Sequence, residues 1–179
     1  MRRPPRVLAL VLVVLGGLLG TSAPASASDD GLRALVTTTA LTREKVEREI
    51  GAVRPPAKVT LRSYLSYLDR VARVHAKVGR TAAGLLRDFG AEPADTPQAG
   101  AGRELVLSGL DDLSKAADRY AAAARRAAKR LRRAHTTAAV RRAADAFERD
   151  GSAFRKLANR GIDRAGRGGA MIASAPTMR

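Results

Sequence analysis

Apolar positions recur at helical spacing in four successive stretches, each with a polar side opposite. In the first, Leu32, Leu35, Thr39, Val46, Ile50 and Val53 keep to one side. Asp29 and Asp30 stand before it as N-cap residues, and Arg43/Glu47 and Glu44/Arg48 are spaced as i,i+4 pairs on its outer face. Pro55-Pro56 ends it, because proline is tolerated in a first turn but not inside a helix. The second stretch, about Ala57 to Phe89, carries the clearest stripe: Leu61, Tyr64, Leu65, Leu68, Val71, Ala72, His75, Val78, Ala82, Leu86 and Phe89. Gly90 reads as its C-cap, and the proline- and glycine-bearing segment from Gly90 to Gly102 reads as a flexible loop.

The third stretch runs from Arg103 to Ala134, with Val106, Leu110, Leu113, Ala117, Tyr120, Ala124, Ala127 and Leu131 on one stripe. The fourth stripe, Val140, Ala143, Ala144, Phe147, Gly151, Phe154 and Ala158, would face about 150° away if the third helix simply continued. A turn near His135-Thr136-Thr137 resolves the phase break, with a threonine capping the fourth helix; the alternative is one long helix packing on two sides. Gly161-Ile162 resembles a Schellman-type ending, which leaves a flexible tail over 163–179. Narrow stripes of this kind are stable only when buried against one another. The expected fold is therefore all-α, an antiparallel four-helix bundle over 28–162.

Ahead of that bundle, Arg2, Arg3 and Arg6, the apolar run Val7 to Leu19 and Ala25-Ser26-Ala27 form the pattern of a signal peptide over 1–27. The run is shorter than the ~20 residues of a spanning helix, which favours cleavage over a retained anchor. Cleavage predicts a secreted, extracellular or cell-wall-associated protein with no integral membrane segment. Removing 27 residues from 179 leaves 152, enough for one domain, and losing three arginines takes the formal charge from +16 to +13. The absence of cysteine excludes disulfides, thiolate metal sites and lipid attachment at a signal-peptide Cys. With no Trp and 3% aromatics, the core has to be built of Ala, Leu and Val, small enough for helices to approach closely.

Enzyme signatures are missing: there is no His-Glu-x-x-His, Walker lysine loop or dinucleotide glycine fingerprint, and Leu107-Ser108-Gly109 lacks the first glycine of a nucleophile elbow. Adjacent carboxylates such as Asp111-Asp112 diverge by about 100° on a helix and read as surface charges. The expectation is a non-enzymatic protein with no catalytic residue, cofactor or metal. His75, central in the second stripe, has two readings. It packs in the core with its nitrogens on a tyrosine, carbonyl or water, or it serves a haem or metal carrier in a cavity shared with Tyr64.

The site-like feature is the outer face of the third helix. Arg125, Arg126, Lys129, Arg130, Arg132 and Arg133, extended by Arg141 and Arg142, fall in a run without Asp or Glu between Arg119 and Arg142. Arginine binds phosphate or carboxylate in bidentate fashion, so cell-wall polymer, nucleic acid and lipid head groups are the candidate partners. Nucleic acid would be bound without sequence preference, since no aromatics interleave for stacking. The plainer reading is a solvated face enriched in arginine by genome composition. A scaffolding or partner-binding module is the remaining alternative, recognisable by a large exposed apolar patch.

The proline break Arg54-Pro55-Pro56, the segment Leu61-Arg62-Ser63-Tyr64-Leu65 and the closing Ala153-Phe154-Arg155-Lys156-Leu157 to Gly161-Ile162 resemble small, secreted, Ala/Arg-rich helical proteins of high-GC Gram-positive bacteria. That class is uncharacterised as to activity, and its members carry cysteines near the last positions, which this chain lacks. The resemblance implies a secreted helical protein and no catalytic residue.

Overall fold

The computed structural model describes residues 29–58, 60–134 and 136–176. The expected signal peptide and His135 lie outside the described residues. Four helices follow in order: α1 (Asp30–Gly51), α2 (Leu61–Ala91), α3 (Pro97–Arg132) and α4 (Thr137–Ala173). α2 and α4 each pack on both α1 and α3, so the helices form a ring in chain order. Neighbours run antiparallel: Gly102 and Gly109 of α3 face Gly168 and Gly161 of α4, and Asp69 and Gly79 of α2 meet Arg132 and Ser114 of α3. The fold is the expected all-α bundle.

Local chemistry explains most of the boundaries. Thr60 and Ser63 form a reciprocal capping box, each side chain accepting from the other's backbone N–H, which starts α2 four residues later than Ala57. Thr136 caps α4 by accepting from the Ala139 N–H at 3.2 Å, so the turn expected from the phase break exists and the single-helix alternative falls.

Three boundaries differ from the sequence reading. Gly90 lies inside α2, which ends at Ala91. α3 starts at Pro97 rather than Arg103, because Thr96 accepts from the Ala99 N–H and Pro97 occupies the first turn. α4 passes through Gly161-Ile162 and continues to Ala173, so most of the expected tail is helical. Gly161 does not end the helix because its lack of a Cβ serves packing: a Cβ there would lie 2.7 Å from the Gly109 carbonyl oxygen.

Two apolar clusters fill the interior. One joins Val53, Tyr67, Leu68, Val71, Leu131 and Phe147 with the alanines of α3. The other, at the opposite end, joins Leu32, Phe89, Ala99, Val106, Leu110 and Ile172. α3 is buried on a broader front than one stripe, since Ala116, Ala121, Ala123 and Ala128 are buried as well. A central helix flanked by α2 and α4 has two faces to cover, and alanine suits both.

Candidate functional site

α3 ends in three turns whose positions divide cleanly. Ala124, Ala127, Ala128 and Leu131 are buried, while Arg125, Arg126, Lys129, Arg130, Arg132 and Arg133 are all exposed. Burying the alanine face fixes the cations outward, because at about 100° per residue the two sets occupy opposite arcs.

The margins of the cationic arc are ion-paired. Arg132 donates to the Asp69 carboxylate of α2 at 3.1 and 3.2 Å, and Arg126 reaches Asp150 of α4 at 3.4 Å. Both pairs are about half exposed, so each contributes roughly 0–1 kcal/mol. Between these margins stand Arg125, Lys129 and Arg133 at i, i+4 and i+8. They form a row with a rise of about 6 Å per step, and none of them has an ion partner among the described residues. Arg141 and Arg142, both exposed in the second turn of α4, extend the cationic end.

The outer face of α3 is polarised along its length. Glu104, Asp111 and Asp118 occupy, over its first two thirds, the same arc that Arg125, Lys129 and Arg133 occupy near its end. Cations in the last turn complement the helix macrodipole, which accounts for Lys129, Arg130 and Arg132. It does not account for Arg125 and Arg126, two turns from the end, or for Arg141 and Arg142 near the positive end of α4.

His75 sits apart from this surface. Its Nδ1 meets the Val71 carbonyl oxygen at 2.9 Å, and its ring stands edge-on to Tyr120 and Phe154 at centroid distances of 4.6 and 5.6 Å. Burial pushes its pKa below the ordinary value, partly offset by that carbonyl, so the ring is held neutral. Tyr120 in turn stacks on Phe154 at 4.4 Å and Phe147 at 5.1 Å, joining α3 to α4, and burial raises its phenol. Tyr64 pairs with Tyr67 instead, and burial together with Tyr67 and Glu148 pushes its pKa up to about 12. No ring pairing joins the two residues that the carrier reading brought together, although both stand near Tyr120. Among the described residues no three His, Asp or Glu side chains gather as a metal-binding set.

One residue pair corrects the reading of adjacent carboxylates as surface charges. Asp111 pairs with Lys115 at the surface, but Asp112 is buried and accepts from Arg160 at 2.8 and 2.9 Å and from Arg164 at 3.0 Å. The Arg160 hydrogen bond leads in holding its carboxyl below the usual range, against burial. The clue lay in α3 itself: outside the cationic arc almost everything on an alanine-rich central helix is covered, and Asp112 lies one turn before buried Ala116. The cluster ties α3 to α4 and leaves no unpaired acid for proton transfer.

Large apolar side chains are exposed at Leu41 and Leu61, on different helices. No helix among the described residues is long and apolar enough to cross a membrane. The fold and this surface define the class: an antiparallel four-helix bundle with a cationic end. Compared with known proteins, the chain matches no family model, no curated protein and no solved structure.

Proposed function

We propose that the protein is a secreted, non-enzymatic module that binds anionic polymers or surfaces through the cationic end of its bundle. The observation that carries this reading is the row Arg125, Lys129 and Arg133. Its three cations are held outward by a buried alanine face, flanked by arginines already neutralised by Asp69 and Asp150, and lack acids of their own. A row with free donors fits a ligand with repeated phosphates or carboxylates, because each contact releases a counterion from the polymer. Charges placed only for solubility would be interspersed with acids, as they are on α1.

The test compares two triple variants of equal charge loss. One neutralises the row (Arg125→Gln, Lys129→Gln, Arg133→Gln); the other neutralises Arg43, Arg73 and Arg80 elsewhere. Retention on heparin, DNA and purified cell-wall polymer is followed across a salt gradient, with an unrelated protein of equal charge as reference. The row variant is expected to elute earliest, with the salt dependence on DNA falling by about one unit of slope per lost contact. Equal losses in the two variants, with the parent protein eluting with the reference protein, would sink the reading.

A further inference from the structure

The ring of four helices is incomplete at its cationic end. α1 has 22 residues against 31 in α2 and 37 in α4. Its last turn reaches only the level of Lys77, where Lys77 pairs with Glu49. The part of α2 from Leu61 to Lys77, about 24 Å of helix, runs on past it. The linker fills some of this space by burying Val53 beside Tyr67 and Leu68. Beyond Val53, the first turns of α2 and α4 face each other with no helix between them.

What lies there is a groove of about 470 Å³ whose lining includes Leu61 and Tyr64 of α2, Leu131 and Ala134 below, and Val140 and Ala144 of α4. That size falls in the range of small-molecule sites, ~300–1,000 Å³. Three threonines complete the lining. The hydroxyls of Thr60 and Thr136 serve as helix caps, and the Thr137 hydroxyl has no hydrogen-bond partner among the described residues. Leu61 remains 47% exposed, an apolar side chain left facing water at the groove.

The surroundings are cationic. Arg62 and Arg141 each stand one residue from a lining position, and both are exposed and without ion partners among the described residues. The acids nearby are Glu148, close to Tyr64, and Asp145, which follows Ala144. A second copy of this chain is a poor occupant, since like charge at +16 keeps copies apart. The start of α1 and the end of α4 meet at the opposite end of the bundle, where Arg33 donates to the Ala175 carbonyl, so the described ends of the chain do not cover the groove.

We propose that this groove holds the hydrocarbon chain of a single-chain anionic amphiphile, a fatty acid, whose carboxylate is met by Arg62 and Arg141. An apolar slot gives no purchase to a fully charged polymer, and a neutral chain gains nothing from the two arginines; a fatty acid satisfies both. The site is separable from polymer retention in the row variant, because neither the lining nor Arg62 and Arg141 belong to the row Arg125, Lys129 and Arg133.

The test uses residues 28–179, which contain all four helices, and dodecanoate below its micelle concentration as probe. Titration calorimetry compares it with dodecanol, acetate and anionic phospholipid vesicles. Expected are one dodecanoate per chain, weaker binding of dodecanol and none of acetate. Ala144→Phe, which fills the slot, is expected to raise the dodecanoate Kd by about tenfold or more, with helicity and heparin retention unchanged. Should Ala144→Phe lower helicity, Leu61→Gln at the exposed edge gives the second reading, with the same direction expected. The proposal is overturned if many dodecanoate molecules adsorb per chain, if neither variant weakens binding, or if vesicles bind while free dodecanoate does not. Loss of heparin retention in the row variant with dodecanoate binding intact would leave the groove standing on its own; the converse would leave the polymer reading standing without it.

Discussion

The seam between α3 and α4 and the seat of α1 are built on opposite plans. In the seam, glycines repeat at heptad spacing on both helices, Gly102 and Gly109 against Gly168 and Gly161, and the backbones touch. A Cβ on Gly109 would stand 2.6 Å from both the Gly161 carbonyl oxygen and the Ala165 nitrogen, and one on Gly102 would stand 2.7 Å from the Gly168 carbonyl oxygen. α1 has one fully buried large side chain, Leu32, and leaves Leu41 66% exposed. It is held at points: the Asp29 carboxylate accepts from the Asp95 N–H at 3.0 Å and the Thr96 hydroxyl at 2.7 Å, and Arg33 donates to the Ala175 carbonyl at 2.9 Å. Contact along a whole length makes α2, α3 and α4 a trunk, whereas point attachment lets α1 open separately.

Breaking the seam gives the largest effect. Gly109→Val places branched carbons against backbone atoms that no rotamer change can move away, so the helices must separate. The expected cost is about 3 kcal/mol. For a chain of this size that lowers Tm by roughly 6–12 °C, read by circular dichroism at 222 nm. A loss below about 1 kcal/mol would mean that the seam opens easily and that the two regions do not differ in kind.

Unseating α1 comes next. Leu32 is fully buried against the cluster of Phe89, Ala99 and Ile172, and Leu32→Ala removes those contacts at a cost of about 2–3 kcal/mol. The comparison becomes sharper if that cost is local. Hydrogen exchange of α1 amides should then quicken by about 30- to 150-fold, while amides of α3 around Ala123 and Ala124 keep their protection. Equal acceleration in both helices would show one cooperative unit.

How far these features are legible in the sequence depends on whether they are local or relational. Stripe residues such as Leu68, Val71 and Leu131 point inward as periodicity says, and the phase break located the turn before Thr137. The outward placement of the six cations followed from the same periodicity. Glycine misled, because Gly102, Gly161 and Gly168 look like chain punctuation one residue at a time. Their reason for being glycine sits on the other helix. Asp112 was misplaced for a similar cause: its partners Arg160 and Arg164 lie 48 and 52 residues away. The groove is harder still, since it arises from a difference in helix lengths together with the register of Glu49 against Lys77.

Acid offers the gentlest way to separate the trunk from the seat of α1, because each carries its own titrating group. For His75 in the trunk, burial places the folded pKa below the unfolded value of 6.5. Its contribution is therefore complete above pH 6.5 and is lost as pH falls from there through the folded pKa. For Asp29 at the seat, burial alone would raise the pKa. The Thr96 hydroxyl and the Asp95 amide outweigh it, so the folded pKa lies below 3.8 and the contribution persists until pH falls under that value. Between about pH 6.5 and 4.5 the His75 response belongs to the trunk alone, so Tm should fall more in the native protein than in His75→Phe, which has no ring to charge. His135 is present in both and cancels in the difference. Over the same window the exchange of α1 amides nearest Asp29 should show no added change in the native protein relative to His75→Phe. An identical pH slope in the two proteins would mean that His75 finds water or an anion on protonation, and that the trunk yields at its waist more readily than its glycine seam suggests.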